Sequence, residues 1–334
     1  MIQEGLSILS EQLSAFPAAH SAILAQRHKR IAILMCTFNG ETHLSEQLES
    51  IKLQSFRHID IWVSDDGSRD STITILNQFK QSWSKGRFEI LTGPKLGFAT
   101  NFLSLVCNYD IQADFFAYSD QDDIWELDKL SRAIHNIGQY DENEMPALYC
   151  SRTHLIADCG KSMQLNSPRF RRKPDFRNAL VQSLAGGNTM VFNQAARQVI
   201  LKAGIQEVIS HDWWTYMLIS GAGGKVYYDF TTSVRYRQHS DNQIGANIGW
   251  IARVKRIGLL LNGSFSTWNN LHIISLNKVR DLLNTENQKK LDGFANARHA
   301  PLLKRLILLK KSGVYRQTTE GNIALWIAAI LNKI

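Results

Sequence analysis

Three carboxylates fall within four residues at Asp120-Gln121-Asp122-Asp123, directly after the apolar, aromatic run Phe115-Phe116-Ala117-Tyr118. Such a run predicts a buried strand arriving at a surface edge, and clustered aspartates suit its continuation poorly. On an extended backbone Asp120 and Asp122 point to the same side, roughly 6–7 Å apart from the strand rise, and a turn brings them closer. Their mutual repulsion calls for a counter-ion. Hard carboxylate oxygens suit Mg2+ or Mn2+, ions that often also hold substrate phosphates. The competing reading is a helix N-terminus, with an aspartate capping Ile124-Trp125-Glu126-Leu127; Asp123 can cap while Asp120 and Asp122 hold metal.

Other polar clusters invite the same two-way reading. Ser64-Asp65-Asp66-Gly67-Ser68 offers carboxylates that can accept from a pyrimidine N3–H or from ribose hydroxyls, or it is an ordinary turn with a helix cap. Gly186-Gly187-Asn188-Thr189 allows a ligand to approach the backbone closely, or is a plain turn. His211-Asp212-Trp213-Trp214 opens a helix. Asp212 there is either a first-turn charge or a general base, with Trp213 and Trp214 desolvating it or stacking on a sugar ring. His239, in the polar stretch Arg237-Gln238-His239-Ser240-Asp241, is the candidate for a third metal ligand or a phosphate contact. Arg169 to Lys173 reads as a solvated basic loop that can touch phosphates.

These residues need elements to position them. Ile31-Ala32-Ile33-Leu34-Met35-Cys36-Thr37 is a continuous apolar run, expected of a strand buried on both faces, and it breaks at Phe38-Asn39-Gly40. A helix with the stripe Leu44, Leu48 and Ile51 follows. The alternating Ile59-Asp60-Ile61-Trp62-Val63, a helix with Ile73, Leu76 and Phe79, the strand Phe88-Glu89-Ile90-Leu91 and a helix through Phe102, Leu105, Val106 and Tyr109 come next. Strand and helix alternate over about 120 residues, which means α/β architecture with a mostly parallel sheet and helices on both faces. Ligands of such sheets bind at the carboxyl ends of the strands, where Thr37-Phe38-Asn39, Asp65-Asp66 and Asp120-Gln121-Asp122-Asp123 all fall. Neither G-x-G-x-x-G nor G-x-x-x-x-G-K-[ST] is present, which disfavours a dinucleotide fold and a P-loop. Further on, Ala147 to Cys150, His154 to Ala157, Met190 to Phe192 and Lys225 to Tyr228 read as short strands.

Composition bounds the class. The chain has 334 residues and a net charge of +8. Residues 251–334 hold 14 Lys/Arg against 4 Asp/Glu, whereas the preceding 250 residues hold 24 against 26. A near-neutral body argues against nucleic-acid binding. A basic tail with the apolar blocks Ile257–Leu261, Leu302–Leu309 and Ile323–Leu331 reads either as amphipathic helices packed on the body or as a peripheral membrane face. Cys36, Cys107, Cys150 and Cys159 lie far apart without a CxxC pair, which predicts buried thiols in a reducing compartment. Glu4 and Glu11 interrupt the N-terminal apolar stretch, so no signal peptide is expected. The expected division is a helical extension over 1–29, a catalytic domain over 30–245 and a basic helical region over 246–334.

The ordered set Thr37-Phe38-Asn39-Gly40, Ser64-Asp65-Asp66-Gly67-Ser68, Leu96-Gly97-Phe98-Ala99-Thr100-Asn101, Ser119-Asp120-Gln121-Asp122-Asp123-Ile124-Trp125, Gly187-Asn188-Thr189-Met190, His211-Asp212-Trp213-Trp214 and Tyr236-Arg237-Gln238-His239 resembles the inverting family 2 glycosyltransferases of the GT-A fold. Within them it looks closest to the bacterial rhamnosyltransferase-like branch that builds cell-surface polysaccharides. The resemblance spans about residues 30–245, with Cys36-Thr37-Phe38 departing from the usual Pro or Ala and Tyr. It implies that Asp66 holds a pyrimidine base, with Thr37, Asn39, Asp65, Gly97 and Asn101 in the nucleotide site. Asp120 would meet ribose and metal, Asp122 the metal, and His239 the metal or diphosphate. Asp212 would be the base, with Gly187, Asn188, Trp213 and Trp214 near sugar or acceptor. The implied partners are a dTDP- or UDP-sugar donor, a glycan or lipid-linked oligosaccharide acceptor and Mg2+ or Mn2+, in the cytoplasm or at the inner face of the cell membrane. A sugar nucleotidyltransferase is the alternative, although Thr37-Phe38-Asn39-Gly40-Glu41 lacks the lysine it would want; a non-catalytic sugar-nucleotide- or glycan-binding subunit is another.

Overall fold

In the computed structural model, which describes residues 29–140, 144–238 and 263–334, Ile31–Thr37 form strand β1 and all seven residues are buried. Ile31, Ile33 and Met35 enter one apolar cluster, and Ala32, Leu34 and Cys36 enter the other. A strand covered on both faces has no polar side, hence the unbroken apolar run. Strands β2 (Ile59–Asp65), β3 (Phe88–Thr92) and β4 (Phe115–Ser119) alternate with helices α1 (Leu44–Lys52), α2 (Thr72–Ser82) and α3 (Phe98–Val106). The four strands pair in parallel in the order β3-β2-β1-β4. Apolar residues of α1 and α2 pack on one face of this sheet and those of α3 on the other. Thr37 is in register with Asp65, and Met35 with Ser119. The carboxyl ends of β1, β2 and β4 therefore lie side by side, which is the edge where such sheets bind ligands.

The second half departs further from its sequence pattern. Ile124–Trp125 form a short strand, β5, so the helix expected there begins instead with α4 (Lys129–Ile137). The two short strands expected between residues 147 and 157 are one strand, β6 (Ala147–Ala157), with β7 (Ser162–Asn166) beside it. After α5 (Phe176–Ala179), β8 (Val191–Asn193), α6 (Gln194–Ala203) and α7 (His211–Gly221), strand β9 runs from Lys225 to Gln238. Arg237 thus belongs to a strand rather than a polar loop. The sheet has nine strands in the order β3-β2-β1-β4-β8-β6-β9-β5, with β7 attached to β6. It is mixed but mostly parallel: β8 runs antiparallel to β4 and β6, and β9 parallel to β6. The alternation in β2 proves misleading, because Asp60 is buried too, accepting from Arg30 Nη1 at 2.7 Å and from the Arg87 backbone N–H at 2.6 Å.

The C-terminal region is helical: α8 (Ser264–Lys278), α9 (Thr285–His299), α10 (Leu302–Ser312) and α11 (Thr319–Ile330). Phe265, Leu276, Leu291, Phe294 and Leu325 share an apolar cluster with Phe176, Trp214 and Leu218 of the body. No helix among the described residues is long and apolar enough to cross a membrane. Residues 1–28 of the helical extension expected over 1–29, and the block Ile257–Leu261, lie outside the described residues. Cys36 and Cys150 are buried as expected, but Cys107 is partly exposed and Cys159 exposed.

Candidate active site

The loop after β4 is where the carboxylates gather. Asp123 is fully buried and does not cap a helix. Its Oδ2 accepts from the Asn188 side-chain amide, and its Oδ1 from the Arg237 backbone N–H at 3.2 Å. Burial, then the charges of Asp122 and Asp120, push its carboxyl well above the usual range. Asp120 is pushed up to about 7 by burial, then by Asp122 and Asp212. Asp212 thus acts electrostatically on the loop that its sequence distance would never suggest.

The link between the two is the short 3-10 turn Gly187–Thr189. The Gly187 N–H donates to Asp212 Oδ2 at 3.2 Å, while the next residue, Asn188, donates to Asp123. On its other oxygen Asp212 accepts from the Ser210 hydroxyl and, at 2.6 Å, from the Trp213 backbone N–H. Gly187 is required by space: an added Cβ would overlap His211 Nε2 and press on Asp212 Cβ. His211 lies flat on Phe102, with ring centroids 3.9 Å apart. Burial pulls its pKa down to about 4, so it is a neutral spacer beneath the turn.

Trp213 and Trp214, expected near sugar or acceptor, face the core. Trp214 is fully buried, and Trp213 donates its indole N–H to the Ala179 carbonyl at 2.7 Å and packs against His272 at 4.5 Å. On a helix that enters the core at its first turn, neighbouring side chains point inward while Asp212 stays at the rim.

At the nucleotide side, the expected residues divide into two layers. Thr37, Asp65 and Asn101 are buried. Asp65 accepts from the Thr37 hydroxyl at 2.8 Å and from the Gly67 and Ser68 N–H groups at 3.1 and 2.8 Å. Asn101 bonds Ser64 through both ends of its amide. These three side chains hold the loops together. Asp66 lies at the edge and gathers the next loop, accepting from the Lys95 N–H at 2.6 Å and the Gly97 N–H at 3.3 Å. Gly97 has φ +88°, which an L side chain rarely adopts, and sits at the N-cap of α3. Asn39, at φ +48°, ties Ser68 and Arg69 through its N–H and side-chain oxygen.

Three further motif residues, Gln121, Arg237 and Tyr236, stand beside these loops. Gln121 clamps the Phe38 backbone, accepting from its N–H at 2.9 Å and donating to its carbonyl at 3.0 Å. Arg237 is 1% exposed despite its charge; it donates to the Asp122 carbonyl at 2.9 Å and to the Asp158 carbonyl, and pairs with Glu46. The Tyr236 phenol is raised by burial, then by the charges of Asp123, Asp120, Asp122 and Asp212. An arginine next to a polar stretch ordinarily signals solvent, so no sequence signal separated Arg237 from the exposed basic residues.

A divalent cation fits this donor set. No hydrogen bond from the described residues reaches the Asp120 carboxylate, and the charges of Asp122 and Asp212 press on it. No group of three or more His, Cys, Asp or Glu side chains forms a cage among the described residues. Two hard oxygen ligands with the rest supplied by water and substrate phosphate are what Mg2+ commonly takes. His239, expected as a metal or diphosphate contact, lies outside the described residues. Arg172, Lys173 and Arg177 of the basic loop and its neighbour line a separate open pocket of about 290 Å³ with Tyr315.

Two expected outcomes follow from this geometry. Gly187→Ala should cut activity at least tenfold, since the displaced turn holds both Asp212 and Asp123; steady-state rates beside a thermal melt check it. Arg237→Met should cost about 1–3 kcal/mol of stability by stranding buried carbonyls and should also lower activity. Urea unfolding with a native-like rate would refute its role in the loop.

Residues 32–200 match the sequence profile described as Glycosyl transferase family 2. The dTDP-rhamnosyl transferase RfbG of Shigella flexneri is 32% identical over 238 residues, covering 68% of this chain and 79% of that protein. The UDP-Glc:alpha-D-GlcNAc-diphosphoundecaprenol beta-1,3-glucosyltransferase WfgD of Escherichia coli is 29% identical over 104 residues, 31% of this chain and 39% of that one. Among solved structures, S. aureus TarS 1-349 in complex with UDP-GlcNAc has a TM-score of 0.52 at 12% identity, covering 85% of this chain and 90% of that one. GalNAc-T7 with UDP, GalNAc and Mn2+ has a TM-score of 0.50 at 9% identity, covering 86% and 55%. At these identities the structural likeness speaks for the GT-A fold alone. The family profile and the RfbG match together carry the assignment: the chain belongs to glycosyl transferase family 2 and is a glycosyltransferase.

Proposed function

We propose that this glycosyltransferase moves a sugar, rhamnose in our reading, from a nucleotide-diphospho-sugar to a hydroxyl of a growing cell-surface glycan or lipid-linked acceptor, with inversion. The observation that carries the reading is the turn at Gly187-Asn188, which hydrogen-bonds Asp212 with one residue and Asp123 with the next. It keeps a carboxylate for the acceptor beside the carboxylates for the diphosphate. Similarity to RfbG supports a dTDP-rhamnose donor, with UDP-sugars as the other class, and similarity to WfgD supports a diphosphate-lipid acceptor. Family membership weighs against the nucleotidyltransferase alternative and against a non-catalytic subunit.

In this reaction Asp212 accepts the proton of the acceptor hydroxyl as that oxygen bonds to the anomeric carbon. The bond from that carbon to the diphosphate oxygen breaks on the opposite face, its electron pair leaving with the nucleoside diphosphate, and configuration inverts. The transition state is oxocarbenium-like, as in glycoside hydrolysis. Asp66 and Asn39 lie at the base end, and Thr37, Asp65 and Asn101 hold that end in shape. Mg2+ or Mn2+ on Asp120 and Asp122 supplies, when bound, the positive charge that a departing diphosphate needs. The reading locates the enzyme in the cytoplasm, at the inner face of the membrane when its acceptor is lipid-linked, and gives it no nucleic-acid partner.

Asp212→Asn should lower kcat by about 100- to 10,000-fold, the usual worth of a general base, with donor affinity by calorimetry unchanged. Cation binding should show in the thermal melt as well. Asp120 holds its proton below about 7, and a proton competes with a cation, so the rise in Tm given by Mn2+ should be larger at about pH 8 than at about pH 6. Asp122→Asn should abolish that rise together with transfer; a variant fully active under chelator would sink the scheme.

A further inference from the structure

Helix α11 is apolar on both sides. It buries Leu325, Ala328 and Ala329 against the body. On the opposite stripe Ile323, Trp326, Ile327 and Ile330 recur at spacings of three and four and are 38% to 56% exposed. A helix apolar all round ordinarily belongs in an interior, and a contiguous exposed apolar patch marks an interaction surface. Its neighbour α10 inverts the usual pattern, burying Arg305 while leaving Leu303 and Ile307 exposed. The inversion is anchored: Arg305 donates to the Ala329 carbonyl at 2.8 Å and to the Ala300 carbonyl at 2.9 Å. The two helices are thereby tied to each other with their apolar stripes outward.

Charge indicates what covers them. Residues 300–334 carry six Lys/Arg and one acidic residue, Glu320. Lys304, Lys310 and Lys311 are exposed on the helix that exposes Leu303 and Ile307. Apolar side chains with a tryptophan among them, accompanied by lysines, combine the two attractions that hold a peripheral protein to a bilayer: burial below the headgroups and attraction to their negative charge. We propose that the α10–α11 face docks on the surface of an anionic lipid bilayer. Its purpose, bringing the site to a lipid-linked acceptor, rests on the function proposed above; its physical basis does not.

The test is co-sedimentation of the full chain with phosphatidylglycerol–phosphatidylethanolamine vesicles and with phosphatidylcholine vesicles, at low and high salt. Binding is expected to the first, weakening with salt, and little to the second. The double change Ile327→Glu with Ile330→Glu, at exposed positions, should lower binding by about tenfold or more with Tm unchanged. Lys304→Glu with Lys310→Glu and Lys311→Glu should remove the preference for anionic lipid. No binding of the native chain, or equal binding of the isoleucine variant, overturns the proposal. So does a dimer in sedimentation velocity that the isoleucine variant disperses without any lipid binding, since the occupant is then a second copy. Transfer to a water-soluble acceptor without vesicle binding defeats the docking proposal alone. Vesicle binding without turnover of any nucleotide sugar defeats the functional reading alone.

Discussion

The sheet edge depends on one buried carboxylate, that of Asp123. A charge removed from water is costly unless donors meet it, and here they come from two distant segments, the Asn188 amide and the Arg237 backbone. Because Asp123 directly follows Asp122, anchoring it presents Asp122 and Asp120 at the rim. Arg237 grips the same loop a second time through the Asp122 carbonyl. Residues near 122, 188 and 237 thus form one hydrogen-bonded unit, and Gly187 extends it to Asp212. Losing any one member strands the polar groups of the others.

That unit concentrates negative charge. Lys129 is buried beside Asp123 and Asp120, and although their charges hold its proton, burial dominates and pulls its pKa well below the usual lysine range. Its Nζ lies 3.1 Å from the centre of the Trp125 ring and is without a hydrogen-bond partner among the described residues. In the proposed reaction a bound cation would balance the Asp120–Asp122 pair. For the proposed reaction this is preorganisation: the negative groups are fixed by folding, so a cation and a diphosphate can complete them without rearrangement.

The C-terminal helices belong to this arrangement as well. Asn287 on α9 donates to the Ser220 and Gly221 carbonyls at 3.0 and 2.9 Å, satisfying the free end of α7. Trp213 packs on Trp268 and His272 of α8. Asp212, at the opposite end of α7, is thus held by helices that the family resemblance does not reach. Their inner faces fix the site while the outer faces of α10 and α11 remain apolar, so one region carries two unrelated constraints.

Local patterns were enough to read much of this protein. Apolar runs ending in polar clusters identified β1, β2 and β4 and placed Asp66, Asp120 and Asp122 at one edge, because strand burial and strand ends are properties of neighbouring residues. Where burial had two explanations, the letters could not choose: Asp60 alternates like the wet side of a strand, Trp213 and Trp214 suit a desolvating wall or a platform, and Arg237 sits in a polar stretch. Each was decided by what the chain brought from more than 25 residues away, namely Arg30 to Asp60, Ala179 to Trp213 and the Asp122 carbonyl to Arg237. The residue types and their order were determined by sequence alone; the partition of those residues into contact, support and core was decided only by tertiary structure, because a hydrogen bond or a buried face needs a partner that sequence spacing does not name.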